Sequence, residues 1–347
     1  MGVHKVHNAV APIRICDIGG WTDTWFAGFG SIFNIAVYPY VEVQIRISEP
    51  TDEHKRVTLN LENFGDTYKV NPEDIDYDKH PLIEAAVDVM EIPREMAFHI
   101  NIYSSAPPGA SAGTSAAVSV ALIGALDSLT AGRLTPHETA MLAHSLETEK
   151  LGLQCGIQDQ LCSAYGGINF IEMHSFPRAS VSSILIPNDI WWELERRLAV
   201  VYIGVPHSSS AVHQMVIADL GQDACNDERM IAMRKLAHQA KDAVYEGNFV
   251  QLGAAMDANS QVQRELHKEL VCAAFEEIIE VAKEFGALGC KVNGAGGDGG
   301  SLTILTNGDS AQKRVMLKEL GKCGYQSLDM YLSRYGIRVW QGSVLSA

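Results

Sequence analysis

The sequence predicts an α+β protein of two domains, and three observations support this class. The chain has 347 residues, more than one domain of ordinary size needs, and hydrophobic residues make up 47% of it, enough for a substantial core. Strand-like runs are followed by helical patterns and do not alternate regularly with them, which favours the α+β class. A similar order begins again past Asn188. We therefore expect domains over 1–187 and 188–347, with the irregular segment Phe176–Asn188 at the boundary.

Hydrophobic periodicity and turn residues predict the elements of the N-terminal half. Alternating and β-branched runs predict strands, and apolar residues that recur with the helical period predict helices. The best helix start is Thr135-Pro136-His137-Glu138, a capping box with proline at the first helical position, and this helix should continue to about Lys150. The other predicted elements are strands over Ser31–Val37 and Val41–Ile47, separated by Tyr38-Pro39-Tyr40, a helix over Leu82–Met90 and a strand over His99–Tyr103.

The elements of the C-terminal half follow from the same patterns. Long amphipathic segments indicate helices, and short β-branched runs indicate strands between turns. The predicted elements are a strand over Leu198–Ile203, helices near Asp227–Tyr245 and Phe275–Phe285, and strands over Cys290–Val292 and Ser301–Leu305. No internal repeat or low-complexity linker is visible in the sequence.

Composition narrows the class of partner. A formal net charge of −15 at pH 7 is unlike that of a nucleic-acid-binding protein and disfavours docking on an anionic membrane. The seven cysteines are scattered without a C-x-x-C pair, which suits neither a disulfide framework nor a zinc site. The sequence shows neither the apolar region of a signal peptide nor a stretch of about 18 apolar residues. We expect an unprocessed cytoplasmic protein, monomer or homodimer, with a small-molecule partner and no nucleic-acid or membrane partner.

The segment Pro107–Ala117 is the most informative part of the sequence. Tiny residues and hydroxyls, with Gly109 and Gly113 among them, lead directly into the apolar pattern from Val118 to Leu129. Glycine lets backbone N–H groups approach an anion, and the first turn of a helix offers unpaired N–H donors. The segment therefore predicts a polyphosphate-binding loop, and close packing of a small-residue helix is the alternative. It is not a Walker A motif, which has lysine before the hydroxyl residue.

A second glycine cluster, Gly294–Gly299, matches G-x-G-x-x-G letter for letter. The dinucleotide-binding motif opens a helix, whereas the residues that follow here, Ser301–Leu305, are β-branched and strand-like. The cluster therefore predicts a glycine hairpin between two strands, where backbone comes close to a ligand or to another loop. A nicotinamide or flavin enzyme is the weaker alternative.

Acidic and basic side chains indicate where chemistry can occur. Glu147 and Asp159 flank a turn between two predicted helices, where they can hold a divalent cation and deprotonate a hydroxyl, as phosphoryl transfer requires. Acidic residues at helix starts also act as caps. Arg14 and Asp23 lie at the mouth of the first strand and can bind a phosphate and a sugar hydroxyl, although most such residues are surface ions. His207 follows a strand end, where polar loops often line a site.

Four segments, taken together, resemble the motifs of the GHMP small-molecule kinases, the family of galactokinase and of homoserine, mevalonate and phosphomevalonate kinases. These segments are Arg14–Asp23, Pro107–Ala117, Gly156–Gln160 and Lys291–Gly300. The likeness spans nearly the whole chain. It implies a two-domain α+β fold in which the N-terminal half is like the second domain of ribosomal protein S5 and the C-terminal half is ferredoxin-like. It also implies that ATP and Mg²⁺ bind between the halves.

The resemblance implies roles on the nucleotide side of the site. Pro107–Ala117 resembles P-P-G-x-G-L-G-S-S-A-A, with Ser111 in place of the middle glycine and Ala112 in place of the leucine. Both changes are small, so the loop should survive. Ser115 and Glu147 are the expected Mg²⁺ ligands. The residues expected to bind ATP are Pro108, Gly109, Ala110, Ser111, Ala112, Gly113, Thr114, Ser115 and Ala116.

The resemblance also implies the reaction. Arg14–Asp23 aligns without gaps on the galactokinase signature R-V-N-L-I-G-E-H-T-D, but Gly20 and Trp21 replace the Glu and His that help grip galactose. The strings Gly-Gly-Trp-Thr-Asp and Gln-Asp-Gln are more similar to the fucokinase and glycero-manno-heptose phosphate kinase branch, which phosphorylates an anomeric hydroxyl. Asp159 is then the catalytic base, and Arg14 is the cation beside the reacting hydroxyl. The residues expected to bind the sugar are Gly20, Trp21, Thr22, Asp23, His207, Gly296 and Gly297.

Alternatives to a sugar 1-kinase stay open at this point. A sugar phosphate such as heptose 7-phosphate needs extra cations, and His207 stands where the heptose branch tends to have arginine, which favours an unphosphorylated hexose or deoxyhexose. Other relatives phosphorylate mevalonate- or homoserine-type alcohols, and the sugar-like segment Gly19–Asp23 disfavours these. A non-catalytic regulator that binds ATP and sugar is disfavoured by the intact acidic and hydroxyl residues. The role of Asp298, at a glycine position of the third motif, stays open.

Overall fold

The computed structural model describes residues 3–49, 54–131, 133–205 and 209–345. In this part of the chain the strands form two sheets, one of nine strands and one of four. The strands are β1 (Val3–Ile18), β2 (Gly30–Ser48), β3 (Val57–Leu61), β4 (Asp66–Val70), β5 (Ala97–Ser104), β6 (Ile168–Ser175), β7 (Arg178–Ser183), β8 (Leu198–Tyr202), β9 (Gly289–Val292), β10 (Ser301–Leu305), β11 (Gln326–Leu328), β12 (Tyr331–Leu332) and β13 (Arg338–Leu345). The helices are α1 (Pro81–Val89), α2 (Thr114–Asp127), α3 (Pro136–Ser145), α4 (Gln158–Tyr165), α5 (Asn188–Arg197), α6 (Ser209–Leu220), α7 (Glu228–Tyr245), α8 (Phe249–Leu266), α9 (Ala273–Glu284) and α10 (Ser310–Lys322). Helices packed on largely antiparallel sheets confirm the α+β class.

The long strands β1 and β2 form the centre of the larger sheet, whose path runs β13-β1-β2-β5-β3-β4. The sequence predicted separate strands on either side of Tyr38-Pro39-Tyr40, and this prediction is wrong, because β2 is continuous over 19 residues. Pro12 pairs with Tyr40 and Ile13 pairs with Val37, so the two residues between are accommodated as a bulge. A bulge is a position where a sheet tolerates proline.

The helices of the N-terminal half cover this sheet. α2 and α4 pack against β1 and β2 in the main hydrophobic core. The predicted capping box of α3 is confirmed, since the Glu138 N–H donates to the Thr135 hydroxyl and the Thr135 N–H donates to the Glu138 carboxylate. The α-helix ends at Ser145, and Leu146–Lys150 continue as a wider π-helical turn. This turn carries Glu147.

The smaller sheet is antiparallel in the order β11-β8-β10-β9 and shares a second hydrophobic core with α9 and α10. The predicted glycine hairpin is confirmed, because β9 pairs with β10 and residues 293–300 connect them. β12 and β13 return to the larger sheet, where β13 pairs with β1. The division between residues 187 and 188 stays a prediction, and residues 331–345 belong to the first sheet by their pairing.

α7 and α8 join the two sheets. α7 packs on β2, while α8 packs on β9 and also contacts β1. At this junction the Gly19 N–H donates to Asn259 Oδ1 at 2.8 Å, and the Cys16 N–H donates to Asn293 Oδ1 at 3.0 Å. The end of β1 therefore lies against the turn that follows β9. Within the described ranges, no helix is long and apolar enough to cross a lipid bilayer.

Candidate active site

A cleft lies where the end of β1 meets the start of α2, the start of α4 and the turn after β9. Its lining comes from both halves of the chain and includes Arg14, Asp23, Ser115, Glu147, Asp159 and Gly294. Apart from Gly294, each of these residues was singled out from the sequence. Because residues so far apart in the chain converge here, the cleft is the candidate active site.

The central contact of the cleft is a bidentate ion pair between Arg14 and Asp159. Arg14 Nε donates to Asp159 Oδ1 at 2.7 Å, and Nη2 donates to Oδ2 at 3.0 Å. The Arg14 side chain is 6% exposed and that of Asp159 is 27% exposed, so the carboxylate is the member that reaches solvent. Burial by itself lowers the pKa of Arg14, but the carboxylates of Asp159 and Asp17 outweigh it and the pKa is raised. A charged guanidinium fork of this kind holds a carboxylate in one orientation.

The middle of the predicted ATP loop is held in place by the protein itself. The Arg14 N–H donates to the Ala112 carbonyl at 2.9 Å, and the Arg14 guanidinium donates to the Ser111 carbonyl. Ser301 Oγ donates to the Ala110 carbonyl at 2.6 Å. The side chains of Ala110 and Ala112 are buried among neighbouring residues. These hydrogen bonds hold the loop in place through its carbonyl groups.

The start of α2 offers polar groups to a ligand. Within the described part of the chain, Thr114 Oγ1 and Ser111 Oγ are buried and have no hydrogen-bond partner. Gly113 and Ser111 have φ angles of 69° and 54°, the left-handed region that glycine favours. Ser111 therefore has a backbone conformation that glycine favours, although it is not a glycine. Unpartnered hydroxyls at a helix N-terminus suit the oxygen atoms of a phosphate.

A second, mainly apolar pocket adjoins the same loop. It shares Pro108, Gly109, Thr114 and Ser115 with the loop, and Ser115 also lines the polar cleft. Its apolar lining includes Leu61, Phe64, Leu82, Ile83, Ile102 and Val118. The sequence analysis did not identify this pocket; the signal was the set of apolar residues spaced along β3, α1 and β5. Concave apolar pockets with a few polar groups are typical of small-molecule sites.

Glu147 is a buried carboxylate at the edge of the cleft. Its residue is 8% exposed, and Gln160 Nε2 donates to its Oε1 at 2.8 Å. Burial raises the pKa of Glu147 to about 7 against the effect of this hydrogen bond, and the charge of Asp159 adds to the rise. A nearby cation favours the charged form of such a group. Among the described residues, no cluster of three or more His, Cys, Asp or Glu side chains could hold a metal ion. A metal here would need further oxygen atoms from Ser115 and from a ligand.

The turn after β1 brings Trp21 and Asp23 into the cleft. Asp23 is 2% exposed, its Oδ2 accepts from the Gln158 N–H at 3.0 Å, and burial raises its pKa to about 6. Gly156 makes room for this carboxylate, since a Cβ there would lie 2.0 Å from Asp23 Oδ2. The Trp21 ring lies 4.9 Å from the His213 ring, and in the described structure its buried indole N–H has no hydrogen-bond partner. A carboxylate acceptor beside an indole donor is suited to hydroxyl groups.

Gly20 and Thr22, which were predicted to bind the sugar, are not among the residues that line the cleft. Thr22 Oγ1 donates to the Gly19 carbonyl at 2.7 Å, so this hydroxyl stabilises the turn. A Cβ on Gly20 would lie 2.9 Å from Asp17 Oδ2, so the glycine gives room to a buried carboxylate. Their tight turn directs both residues towards the protein interior, and their role in sugar binding stays a prediction.

Gly296 and Gly297 are likewise not among the cleft-lining residues. The Gly297 N–H donates to the Leu270 carbonyl at 3.0 Å, and a Cβ on Gly296 would lie 2.1 Å from the same oxygen. The close approach that these glycines permit is therefore to another segment of the chain. Their neighbours Gly294–Ala295 line the cleft in their place. His207, also predicted to bind the sugar, lies outside the described residues.

The structure adds two buried charges that the sequence analysis did not single out. Asp17 borders the cleft and pairs with Lys291 across 3.5 Å, with side chains that are 0% and 1% exposed. Burial alone raises the pKa of Asp17, but Lys291, Arg14 and the Gly294 N–H outweigh it and the pKa is lowered. The signal for both was their position inside two of the motif segments, Arg14–Asp23 and Lys291–Gly300.

Family models match both halves of the chain. Residues 81–167 match the GHMP kinases N terminal domain, and residues 240–320 match the GHMP kinases C terminal model. The chain is 27% identical over 248 residues to D-glycero-alpha-D-manno-heptose 7-phosphate kinase of Campylobacter jejuni, a match that covers 72% of each protein. It is also 27% identical over 330 residues to the bifunctional fucokinase/GDP-fucose pyrophosphorylase of Arabidopsis thaliana, which is 89% of this chain but only 31% of that protein.

Solved structures agree with this assignment. The crystal structure of a D-glycero-D-manno-heptose 1-phosphate kinase from Bacteroides thetaiotaomicron superposes with a TM-score of 0.75 over 96% of this chain and 98% of that chain, at 20% identity. This likeness extends to the fold, and the two family models define a two-domain small-molecule kinase. The chain belongs to the GHMP kinase family. ATP is the phosphate donor of these enzymes, generally with Mg²⁺.

The family and its fold, predicted from four motif segments, are confirmed. The prediction of a small-molecule kinase is confirmed with them. The roles of individual residues and the identity of the phosphate acceptor stay predictions.

Proposed function

We propose that this protein transfers the γ-phosphoryl group of ATP to the anomeric hydroxyl of a sugar. The observation that carries the proposal is the Arg14–Asp159 pair, which lies beside the phosphate loop and leaves its carboxylate open to the cleft. A Cβ on Gly113 of this loop would lie 3.2 Å from the Asp159 carboxylate. A hydroxyl bound in the cleft is then close both to a proton acceptor and to a phosphate held by the loop.

Asp159 is the proposed proton acceptor. As the hydroxyl oxygen attacks the γ-phosphorus, its O–H bond breaks, the new O–P bond forms, and the bond from phosphorus to the departing oxygen of ADP breaks. The proton goes to the Asp159 carboxylate. Arg14 holds this carboxylate and places positive charge near the reacting oxygen. Because Arg14 also binds the carbonyls of Ser111 and Ala112, the base and the phosphate loop share one support.

The proposed position of ATP uses both pockets at the loop. The triphosphate lies at the N-terminus of α2, where the Thr114 hydroxyl and backbone N–H groups face it. The base and ribose enter the apolar pocket beside Pro108 and Gly109. Ser115, which lines both pockets, marks the point where the phosphates pass into the polar cleft.

Ser115 and Glu147 are the proposed protein ligands of Mg²⁺. Hydroxyl and carboxylate oxygens are the donors that Mg²⁺ prefers, and the ion usually completes its coordination with phosphates and water. When bound, it neutralises negative charge on the phosphates. The position of Glu147 at the cleft fits this role, and a bound cation would favour its charged form against the effect of burial.

The charge of the cleft supports an uncharged acceptor. Among the described lining residues, the Arg14 guanidinium is already paired with Asp159, and Asp17 is paired with Lys291. The carboxylates of Asp23 and Glu147, when ionised, are therefore the surplus of negative charge in the cleft. A further phosphate on the sugar would be repelled by this surplus of negative charge. Asp23 is the proposed acceptor for a sugar hydroxyl, and the Trp21 ring is the proposed wall against which the sugar packs. The proposed substrate is therefore an unphosphorylated hexose or deoxyhexose.

A sugar phosphate is the second candidate, because one relative is named as a heptose 7-phosphate kinase. We therefore propose ³¹P NMR of the purified protein with Mg·ATP and a panel of free sugars and sugar phosphates. The panel contains fucose, mannose, galactose, glucuronate and heptose 7-phosphate. A new anomeric phosphate signal from a free sugar is the expected result.

The matched controls for this experiment are Asp159→Asn and Asp298→Asn. Asp298 is an exposed carboxylate of the second glycine segment, so its change should leave the signal intact while Asp159→Asn abolishes it. An anomeric signal from heptose 7-phosphate alone would favour the second candidate. ATP binding without any sugar product would reject a sugar kinase and leave an alcohol kinase or a regulator.

A further inference from the structure

Asp17 and Lys291 form a buried ion pair that the mechanism above does not use. Asp17 lies near the end of β1 and Lys291 lies in β9, and both side chains are almost completely buried. The Gly294 N–H donates to both oxygens of the Asp17 carboxylate, at 3.0 and 3.1 Å. Lys291 Nζ also donates to the Val292 carbonyl. The pair therefore connects the first strand with the start of the glycine turn.

Stability alone does not account for two charges in this place. Removing a carboxylate and an ammonium from water carries a large desolvation penalty, which their attraction often only balances. An apolar pair of similar volume is often as stable or more stable. We therefore expect the pair to have a role that depends on the position in which the Asp17 carboxylate holds the neighbouring groups.

The neighbours of Asp17 are groups of the proposed active site. Its carboxylate borders the cleft, and its charge acts on Arg14, which binds Asp159. Gly294, held by Asp17, lies close to the same arginine, since a Cβ on Gly294 would lie 3.2 Å from Arg14 Nη2. An unbroken series of contacts thus runs from Lys291 through Asp17 and Gly294 to Arg14 and Asp159.

We propose that Asp17 is a positioning residue, which together with Lys291 holds the Gly294–Ala295 turn against Arg14 and thereby sets the orientation of Asp159. The kinetic part of this proposal rests on the proposed function. Asp17 touches no reacting atom in this account. Its effect should fall on kcat and leave ATP binding nearly unchanged, because two supports of the phosphate loop do not depend on the Arg14 side chain. These are the hydrogen bonds of the Arg14 N–H to the Ala112 carbonyl and of Ser301 Oγ to the Ala110 carbonyl.

Two double variants test this role without leaving an unpaired buried charge. Asp17→Leu with Lys291→Met removes both charges and the acceptor for the Gly294 N–H. Asp17→Asn with Lys291→Met removes both charges but keeps an acceptor. The matched control is Lys313→Met, which removes a partly buried lysine of α10 that donates to the carbonyls of Arg196 and Leu198, away from the cleft.

The expected result is a graded loss of kcat. The Asp17→Leu, Lys291→Met variant (Leu/Met) should fold and keep its KM for ATP within about 2-fold. Its kcat should fall about 100-fold, which is the loss expected when a catalytic group is displaced by about 1 Å. The Asp17→Asn, Lys291→Met variant is called Asn/Met. The Asn/Met variant should recover at least part of this loss, and Lys313→Met should match the wild type. A Leu/Met variant as fast as Lys313→Met would overturn the proposal. Equal kcat in the two double variants would also overturn it.

Hydrogen exchange separates this proposal from the proposed function. The amide of Gly294 should exchange faster in the folded Leu/Met variant than in the Asn/Met variant, whatever the substrate is. If the wild type phosphorylates nothing in the sugar panel, the proposed function fails while this readout still tests the turn. Unchanged exchange at Gly294 in the Leu/Met variant would reject the positioning role.

Discussion

The two glycine segments of this protein are alike in sequence and different in what they approach. Pro107–Ala117 runs into α2, and its hydroxyls at Ser111 and Thr114 are buried without partners in the described structure. Residues 293–300 connect β9 and β10, and the backbone of this connection contacts Leu270. In both segments glycine permits close approach of another group. The first segment has buried hydroxyls without a partner, whereas the second forms backbone hydrogen bonds with other parts of the protein. Glycine content thus predicts that another group approaches the backbone, but it does not predict whether that group is a ligand or another part of the protein.

The largest difference between the segments should be the effect on kcat of replacing a carboxylate beside each of them. Asp159 abuts Gly113 of the first segment, and Asp298 lies exposed in the second. We expect Asp159→Asn to lower kcat about 10³-fold or more, with little change in ATP binding, because the proposed base is lost while the phosphate loop is intact. Steady-state kinetics and calorimetric titration with ATP measure the two quantities.

Asp298→Asn is the matched change in the second segment, and its kcat should stay within about 2-fold of the wild type. Turnover near the wild type for Asp159→Asn would reject Asp159 as the base. A large loss with Asp298→Asn would instead give the second segment a direct part in catalysis.

Adding one methyl group to each segment sharpens the comparison. Both Gly113 and Gly296 have positive φ, of 69° and 74°. A Cβ on Gly296 would lie 2.1 Å from the Leu270 carbonyl, so Gly296→Ala should lower the free energy of unfolding by about 2 to 4 kcal/mol. A Cβ on Gly113 would lie 3.2 Å from the Asp159 carboxylate, so Gly113→Ala should lower kcat about 10-fold and be less destabilising.

Urea denaturation and steady-state kinetics on both alanine variants test these expectations. The reverse pattern, with catalysis lost at Gly296 and stability lost at Gly113, would show that the two segments have been assigned to the wrong neighbours.

The pH dependence of stability tests the protonation state of Glu147, the acidic residue proposed to bind Mg²⁺ beside the first segment. Burial raises the pKa of Glu147 from 4.5 to about 7. Between these values the folded protein keeps a proton that the unfolded chain has lost, so this stabilising contribution is complete below pH 4.5 and is lost as the pH rises through 7. Without Mg²⁺ and nucleotide, the wild type should lose about 2 to 3 kcal/mol more than Glu147→Gln between pH 4.5 and 7.5.

Urea denaturation at several pH values measures this difference. Asp23, whose pKa is also raised, contributes a slope of the same sign in both proteins and cancels in the comparison. Parallel profiles for the wild type and Glu147→Gln would mean that Glu147 is ionised in the folded protein throughout this range.

The smallest expected effect concerns the residue that replaces a motif glycine in the first segment. Ser111 has a φ of 54°, and its buried hydroxyl has no partner in the described structure. Ser111→Gly should raise the free energy of unfolding by about 1 kcal/mol, because it relieves a left-handed backbone and removes an unsatisfied group. Ala112→Gly, which removes a buried methyl group, should lower it. A loss of stability in both variants, measured by urea denaturation, would contradict this reading of Ser111.

Features that depend on neighbouring residues were predicted well. The start of α2 after the glycine loop, the capping box at Thr135 and the hairpin between β9 and β10 follow from backbone preferences and hydrogen bonds within a few residues. Arg14 and Asp159 were singled out because their motifs are local strings, and Glu147 because it flanks the turn before Asp159. The cleft contains all three. The helices α5, α6, α8 and α10 and the strands β3, β4, β6, β7, β11, β12 and β13 were not predicted.

Features that depend on distant partners were missed or misjudged. Nothing near Tyr38-Pro39-Tyr40 shows that strand pairing would carry β2 through these residues, because the pairing partner is β1. The apolar pocket is assembled from β3, α1, β5 and the loop, so no single stretch of sequence displays it. Gly296 was assigned to the sugar because its sequence neighbours resemble a motif, and this assignment stays a prediction. Its close approach to the Leu270 carbonyl exists only after the chain has folded.

The sequence by itself determined the fold class of the protein, the position of the loop proposed to bind phosphates and the residue types available for catalysis. These follow from periodicity, glycine conformation and side-chain chemistry, which act over a few residues. Only the tertiary structure decided that Arg14 grips Asp159, that Asp17 and Lys291 hold the glycine turn, and which glycines face the cleft. Ion pairing, burial and close packing act between groups that are far apart in the chain, so these relations are set when the two sheets come together.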